Sequence, residues 1–126
     1  MWFGNNLPKH KRIKIINKDI RNIRGISLKG INTIIHLACV ANDPSGELNS
    51  KMTWEINVLA TKLLVESAVK YKVKNFIYAS SGSVYGIKKD RLVHEKLDLE
   101  PISDYNKTKM IAEKVLLSYK NKIRLV

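Results

Sequence analysis

The stretch Asn75-Phe76-Ile77-Tyr78-Ala79-Ser80-Ser81 decides the fold. An apolar, aromatic-rich run of strand length passes straight into small hydroxyl side chains. It reads as a strand buried on both faces that ends in polar chemistry. A second run of the same kind, Thr33-Ile34-Ile35-His36-Leu37-Ala38-Cys39, lies upstream. Between them, residues from Ser50 to about Lys72 carry Ile56, Leu59, Ala60, Leu63, Leu64 and Ala68 at helical spacing, which makes one apolar stripe. Lys70, Lys72 and Lys74 crowd the end of that helix, where cations suit the helix dipole. Downstream, Ser103 follows Pro101 as an N-cap, and a helix is expected from there to about Asn121, with Ala112, Val115, Leu116 and Tyr119 facing inward. Residues 123–126 (IRLV) start another strand. Strand, helix, strand, helix, strand predicts an α/β fold with a parallel sheet.

The remaining segments place the chemistry. Residues 12–17 (RIKIIN) alternate in period two and are expected to form a short strand, followed by Asp19. Residues 42–49 (NDPSGELN) have the composition of a loop. Residues 82–101 form a polar connection longer than structural joins usually are, which points to function. Ligands of parallel α/β sheets gather at the carboxyl ends of strands. Those ends are marked here by Asp19, by Ala38 and Cys39, and by Ser80 and Ser81.

Composition narrows the function classes. The 126 residues amount to one domain, with 44% hydrophobic and 27% charged residues. Disorder, collagen and disulfide scaffolds are excluded. A single cysteine, Cys39, allows no internal disulfide, and His10, His36 and His94 have no metal-ligand spacing. The formal charge is +12, but 18 of the 23 cations are Lys and they are scattered along the chain. Base readout favours Arg, and RNA modules interleave aromatics, so nucleic acid is not the expected partner. A basic nucleic-acid-binding or non-enzymatic α/β module stays as the alternative of another class. The apolar stretch 33–41 is interrupted by His36 and too short to cross a bilayer. The first ten residues lack the order of a signal peptide, so a cytoplasmic protein is expected.

Tyr105 and Lys109 stand four residues apart, on one face of the last helix. A free tyrosine has a pKa near ~10 and is a poor base at neutral pH, and a neighbouring ammonium favours its phenolate. The spacing suits a general acid/base, although it also fits a solvated helix face. His36 reads as a satisfied core histidine, Cys39 as small core filler, and Asn57, an amide inside an apolar stripe, as a clamp on neighbouring backbone. Trp2 and Trp54 read as packing.

Taken together, five motifs in order resemble the extended short-chain dehydrogenase/reductases, in the branch of NAD-dependent sugar-nucleotide epimerases and dehydratases. They are Asp19-Ile20 after a short strand; His36-Leu37-Ala38-Cys39, with Cys39 replacing a usual Ala or Gly; Asn57-Val58 with Ala60-Thr61; residues 75–86, matching F-x-x-x-S-S-x-x-V-Y-G; and residues 101–109, matching P-x-S-x-Y-x-x-(S/T)-K. The resemblance implies a Rossmann-like doubly wound three-layer sheet and an NAD cofactor, with NADP not excluded. It makes Tyr105 the base, Lys109 its partner and ribose ligand, and Ser81 the hydroxyl bonding the same substrate oxygen. It implies cofactor contacts at Asp19, Ile20, Leu37, Ala38, Cys39, Asn57, Ala79, Ser80, Tyr105 and Lys109, and substrate contacts at Ser81, Gly82 and Ser83. The implied substrate is a nucleotide sugar and the implied assembly a homodimer of the full-length enzyme. The dehydratase subgroup carries Asp-Glu after the catalytic Thr; Gly82 and Ser83 stand there instead, so epimerase is preferred over dehydratase or reductase.

No G-x-x-G-x-x-G or G-x-G-x-x-G occurs in the 126 residues. That turn would hold a pyrophosphate on backbone N–H groups. Residues 1–5 (MWFGN) resemble the family segment just after the second strand. The expectation is therefore an incomplete NAD(P)-binding domain over 1–126, an internal part of a longer enzyme that lacks the first two strands and the C-terminal substrate lobe. It is expected to be inactive alone. In a 3-2-1-4-5-6 sheet the strand at 12–17 would then have no native neighbour, and is expected to fray or to dock on the edge of the strand at 33–39.

Overall fold

The computed structural model describes residues 9–89 and 92–126. The readings of residues 1–5 and of Trp2 lie outside them. Three parallel strands, β1 (Thr33–His36), β2 (Asn75–Tyr78) and β3 (Arg124–Leu125), form one sheet in the order β1-β2-β3. The register pairs Thr33 with Asn75 and His36 with Tyr78, then Asn75 with Arg124. Consecutive order is that of the half of a doubly wound sheet beyond its switch point. The fold class is α/β, a partial Rossmann-like arrangement.

The helices explain themselves locally. Helix α1 (Asp43–Leu48) occupies a segment whose composition suggests a loop. The reason is a complete start signal: the Asn42 side chain accepts from Ser45 N, and Pro44 sits in the first turn, where its missing N–H costs nothing. Helix α2 (Ser50–Trp54), a π-helical segment (Glu55–Ala60) and helix α3 (Thr61–Lys70) run on without a break. Asn49 caps the start by accepting from Met52 N. At the far end Lys72 takes φ 58°. Val73 N–H then bonds the Ala68 carbonyl and Lys72 N–H that of Val69, a Schellman closure with lysine where glycine is usual. Helix α4 (Asp104–Leu117) begins at Ser103, whose side chain accepts from Asn106 N.

The π-helical segment turns the expected stripe. An extra residue per turn rotates the downstream side chains about the helix axis, so Val58 is buried and Leu59 exposed. Ala60, Leu64 and Ala68 face inward as the spacing predicts.

The core lies between the sheet and α3 and α4. Leu64, Val65, Ala68, Phe76 and Leu116 fill it, with Ile23 and Leu28 closing one side. Ile34, Tyr78 and Leu125 pack against it from the sheet. The expectation of strands buried on both faces fails here. On the other sheet face Ile35 is 63% and Leu37 67% exposed, because the described helices cover one side. Two of the three layers of a doubly wound fold are thus present among the described residues. The expected strand at 12–17 does not form, and Ile13, Ile15 and Ile16 are exposed. Alternation alone makes no strand without a partner to take its backbone hydrogen bonds. Among the described residues no helix is long and apolar enough to cross a membrane, and no group of three His, Cys, Asp or Glu side chains could hold a metal ion.

Candidate active site

The carboxyl ends of β1 and β2 meet the first two turns of α4. Ser103 and Asp104 tie those turns down: Ser103 Oγ bonds the Asp43 carboxylate of α1, and Ser50 Oγ, at the start of α2, bonds that of Asp104. Tyr105 follows, half-buried, and among the described residues its phenol oxygen has no hydrogen bond. Lys109 stands one turn later and is only 3% exposed. Its ammonium donates to the Ala79 carbonyl at the end of β2 and lies 4.3 Å from the Tyr78 ring centroid. Burial lowers the Lys109 pKa, and the neighbouring Cys39 and Glu113 push it back up.

Asn57 is the clamp expected from its place in the stripe. Its Oδ1 accepts from Val40 N at 2.8 Å, and its Nδ2 donates to the Val40 carbonyl at 3.1 Å and to Thr108 Oγ1 at 3.0 Å. Thr108 in turn donates to the Tyr105 carbonyl. One amide thus joins the loop after β1 to the turn of α4 that carries Tyr105 and Lys109. The π-helical segment places it there.

His36 is a core histidine. Its Nε2 lies 2.8 Å from Thr61 Oγ1, and Thr61 donates its single hydroxyl proton to the Asn57 carbonyl. The imidazole must therefore donate through Nε2. Burial, with the Lys109 charge nearby, lowers its pKa to about 4 and keeps it neutral.

The other expected site residues divide. Ser81 caps the 3-10 turn Gly82–Tyr85, accepting from Ser83 N, and its hydroxyl shares a 2.7 Å hydrogen bond with that of Ser83. Gly82 is exposed. Ser80 donates to Glu113 at 2.7 Å. Gly86 takes φ 69°, and a Cβ there would lie 2.2 Å from the Glu100 carbonyl oxygen, so the residue after Tyr85 has to be glycine. Cys39 is half-buried beside Lys109, whereas Leu37 and Ala38 are exposed at the strand end. Asp19 and Ile20 stand on a separate 3-10 turn (Ile20–Gly25) that packs on the π-helical segment and α3. Arg21 bonds both Asp19, at 2.8 Å, and Glu55, at 3.0 Å, and this holds the Asp19 pKa down at about 2.

Sequence reasoning missed Glu113, Thr108 and Gly46. The signals were present: Glu113 is one turn beyond Lys109, Thr108 is the hydroxyl inside the Tyr-to-Lys interval, and Gly46 is a glycine just after a helix start.

The NAD dependent epimerase/dehydratase family matches residues 4–125. An uncharacterised UDP-glucose epimerase of Bacillus subtilis (strain 168) is 32% identical over 117 residues, which are 91% of this chain and 37% of the relative. The dTDP-glucose 4,6-dehydratase DesIV of Streptomyces venezuelae, a double mutant solved with NAD bound, is 25% identical with a TM-score of 0.86, covering 91% of this chain and 37% of its own. The UDP-N-acetylglucosamine 4-epimerase of Methanobrevibacter ruminantium M1, in complex with UDP-N-acetylmuramic acid, is 26% identical with a TM-score of 0.81, covering 95% and 39%. This chain therefore spans well under half the length of the relatives it matches. With the family pattern matched across nearly all of its residues, the chain belongs to the NAD dependent epimerase/dehydratase family.

Proposed function

We propose that this chain is the part of an NAD(P)-binding domain that carries the acid/base machinery of a sugar-nucleotide epimerase. The observation that carries the reading is the joint position of Tyr105 and Lys109 at the carboxyl ends of β1 and β2, with Lys109 fixed on the Ala79 carbonyl. Relatives solved with NAD or with a UDP-sugar bound support it.

The residues present fit the two ends of a dinucleotide. Tyr105, Lys109, Ala79 and Ser80 would hold the nicotinamide-ribose end, with Leu37, Ala38 and Cys39 beside it. Asp19 and Ile20 would serve the adenine end, where Arg21 fixes the Asp19 carboxylate through its backbone N–H and its guanidinium. The glycine-rich turn for the pyrophosphate is not among the 126 residues, so the chain by itself binds NAD weakly. When bound, the cofactor supplies the acceptor and later the donor of hydride.

Tyr105 would take the proton of a sugar hydroxyl and later return it to the same oxygen. The Lys109 ammonium stands one turn further along the same helix, fixed on the Ala79 carbonyl. Ser81 turns its hydroxyl from Ser83 to the same sugar oxygen, and Asn57 keeps the Tyr105 turn in register. A dehydratase is the second reading, favoured by the fold likeness to the dTDP-glucose enzyme. Gly82 and Ser83 offer no carboxyl group to eliminate water. The test is product analysis by proton NMR after the protein that carries these residues is incubated with NAD and a UDP-hexose. The C4 epimer is expected; a 4-keto-6-deoxy sugar establishes the dehydratase instead.

A further inference from the structure

Helix α4 delivers one more side chain to the end of β2. Glu113 stands one turn after Lys109, and its Oε2 accepts from Ser80 Oγ at 2.7 Å. Lys109 donates to the carbonyl of Ala79, the residue before. Two successive turns of one helix therefore grip two successive residues of one strand end, directly ahead of Ser81. Glu113 also borders a cleft of about 240 Å³ with Tyr78, Ser80 and Leu116. Its bond to Ser80 anchors the outer turn of α4 to the strand.

Lys109 has its own need of a carboxylate. The ammonium touches the Tyr78 ring and the Ala79 carbonyl, from β2 and its end; near it, without an ion pair among the described residues, are His36 from β1, Cys39 after β1 and Glu113 from its own helix. His36 is neutral, and of these groups Glu113 alone carries a carboxylate. A buried ammonium without a counter-charge is costly.

We propose that Glu113 is a positioning residue, which holds the strand end through Ser80 and supplies the counter-charge that keeps the Lys109 ammonium in place beside Tyr105. The proposal rests on the reading of Tyr105 and Lys109 as the acid/base pair. Glu113→Gln keeps an acceptor for Ser80 and removes the charge, whereas Ser80→Ala keeps the charge and removes the bond.

The test tracks the Lys109 ¹³Cε resonance by NMR against pH in the 126-residue chain, without cofactor or substrate. Glu113→Gln is expected to lower the midpoint by about one unit. Ser80→Ala is expected to leave it in place while amide exchange at Ser81 and Ser83 speeds up several-fold. An unmoved midpoint in folded Glu113→Gln overturns the proposal, as does unchanged exchange in Ser80→Ala. Neither readout uses turnover, so both stand apart from the Tyr105→Phe assay on which the acid/base reading depends.

Discussion

Gly46 of α1 lies against Tyr105 of α4 so closely that a Cβ on the glycine would sit 3.1 Å from the tyrosine Cβ and 3.4 Å from its backbone nitrogen. The contact explains a glycine inside a helix, where it is otherwise unfavourable. It also makes α1 a backstop for the candidate base. Tyr105 is held from behind by Gly46, from the side by the Asn57–Thr108 link, and from below by the Ser103 cap.

Gly46→Ala is therefore expected to act on geometry rather than on stability. The gain in helix propensity, about 1 kcal/mol, offsets the crowding, so unfolding by urea shifts by less than about 1 kcal/mol. The Tyr105 backbone has to move by a few tenths of an ångström, and turnover of the protein that carries these residues falls about tenfold. Unchanged turnover with unchanged stability contradicts the backstop.

Asn57→Asp isolates the donor side of the clamp. The carboxylate still accepts from Val40 N but loses the donations to the Val40 carbonyl and to Thr108. The Asn57 side chain is almost fully buried, so the loss is expected to cost about 3 kcal/mol, measured by chemical denaturation at pH 7. A cost under about 0.5 kcal/mol rejects the clamp as a stabilising element.

His36 sets a pH dependence. Its pKa falls from 6.5 in the open chain to about 4 in the fold. Below the open-chain value the unfolded state takes up a proton that the folded state refuses. Stability from this site is complete above pH 6.5, declines as pH falls toward 4, and changes no further below that. The whole decline is roughly 3 kcal/mol. Denaturation of the wild type and of His36→Asn at pH 7, 5.5 and 4 checks it. The difference between the two proteins is expected to shrink with acid, and a constant difference contradicts the assignment.

Much of this arrangement is legible in the sequence because it is written in short-range chemistry. The run 75–81 and the Ser103 cap follow from local composition, and the order of strands and helices follows from them. The Tyr105–Lys109 pair follows from helical spacing. The features that stay hidden depend on partners distant in sequence. Residues 12–17 alternate like a strand, yet nothing in the described chain pairs with them. The runs at 33–39 and 75–81 read as doubly buried, yet a helical layer covers one face. Residues 42–49 read as a loop because Gly46 and Pro44 weigh against a helix, although Asn42 and Pro44 in fact start one. The π-helical turn at Glu55–Ala60 has no local signature, and it is what brings Asn57 to Val40 and Thr108.

The proposed chemistry stands on Tyr105 as the group that takes the proton. The direct measurement replaces it by phenylalanine in the protein that carries these residues, then reads turnover of a UDP-hexose beside NAD binding by calorimetry. Removing the one phenolic oxygen is predicted to abolish turnover, by at least about a thousandfold, while NAD affinity stays within about threefold, roughly 0.7 kcal/mol. Turnover retained in Tyr105→Phe, with NAD still bound, contradicts the assignment.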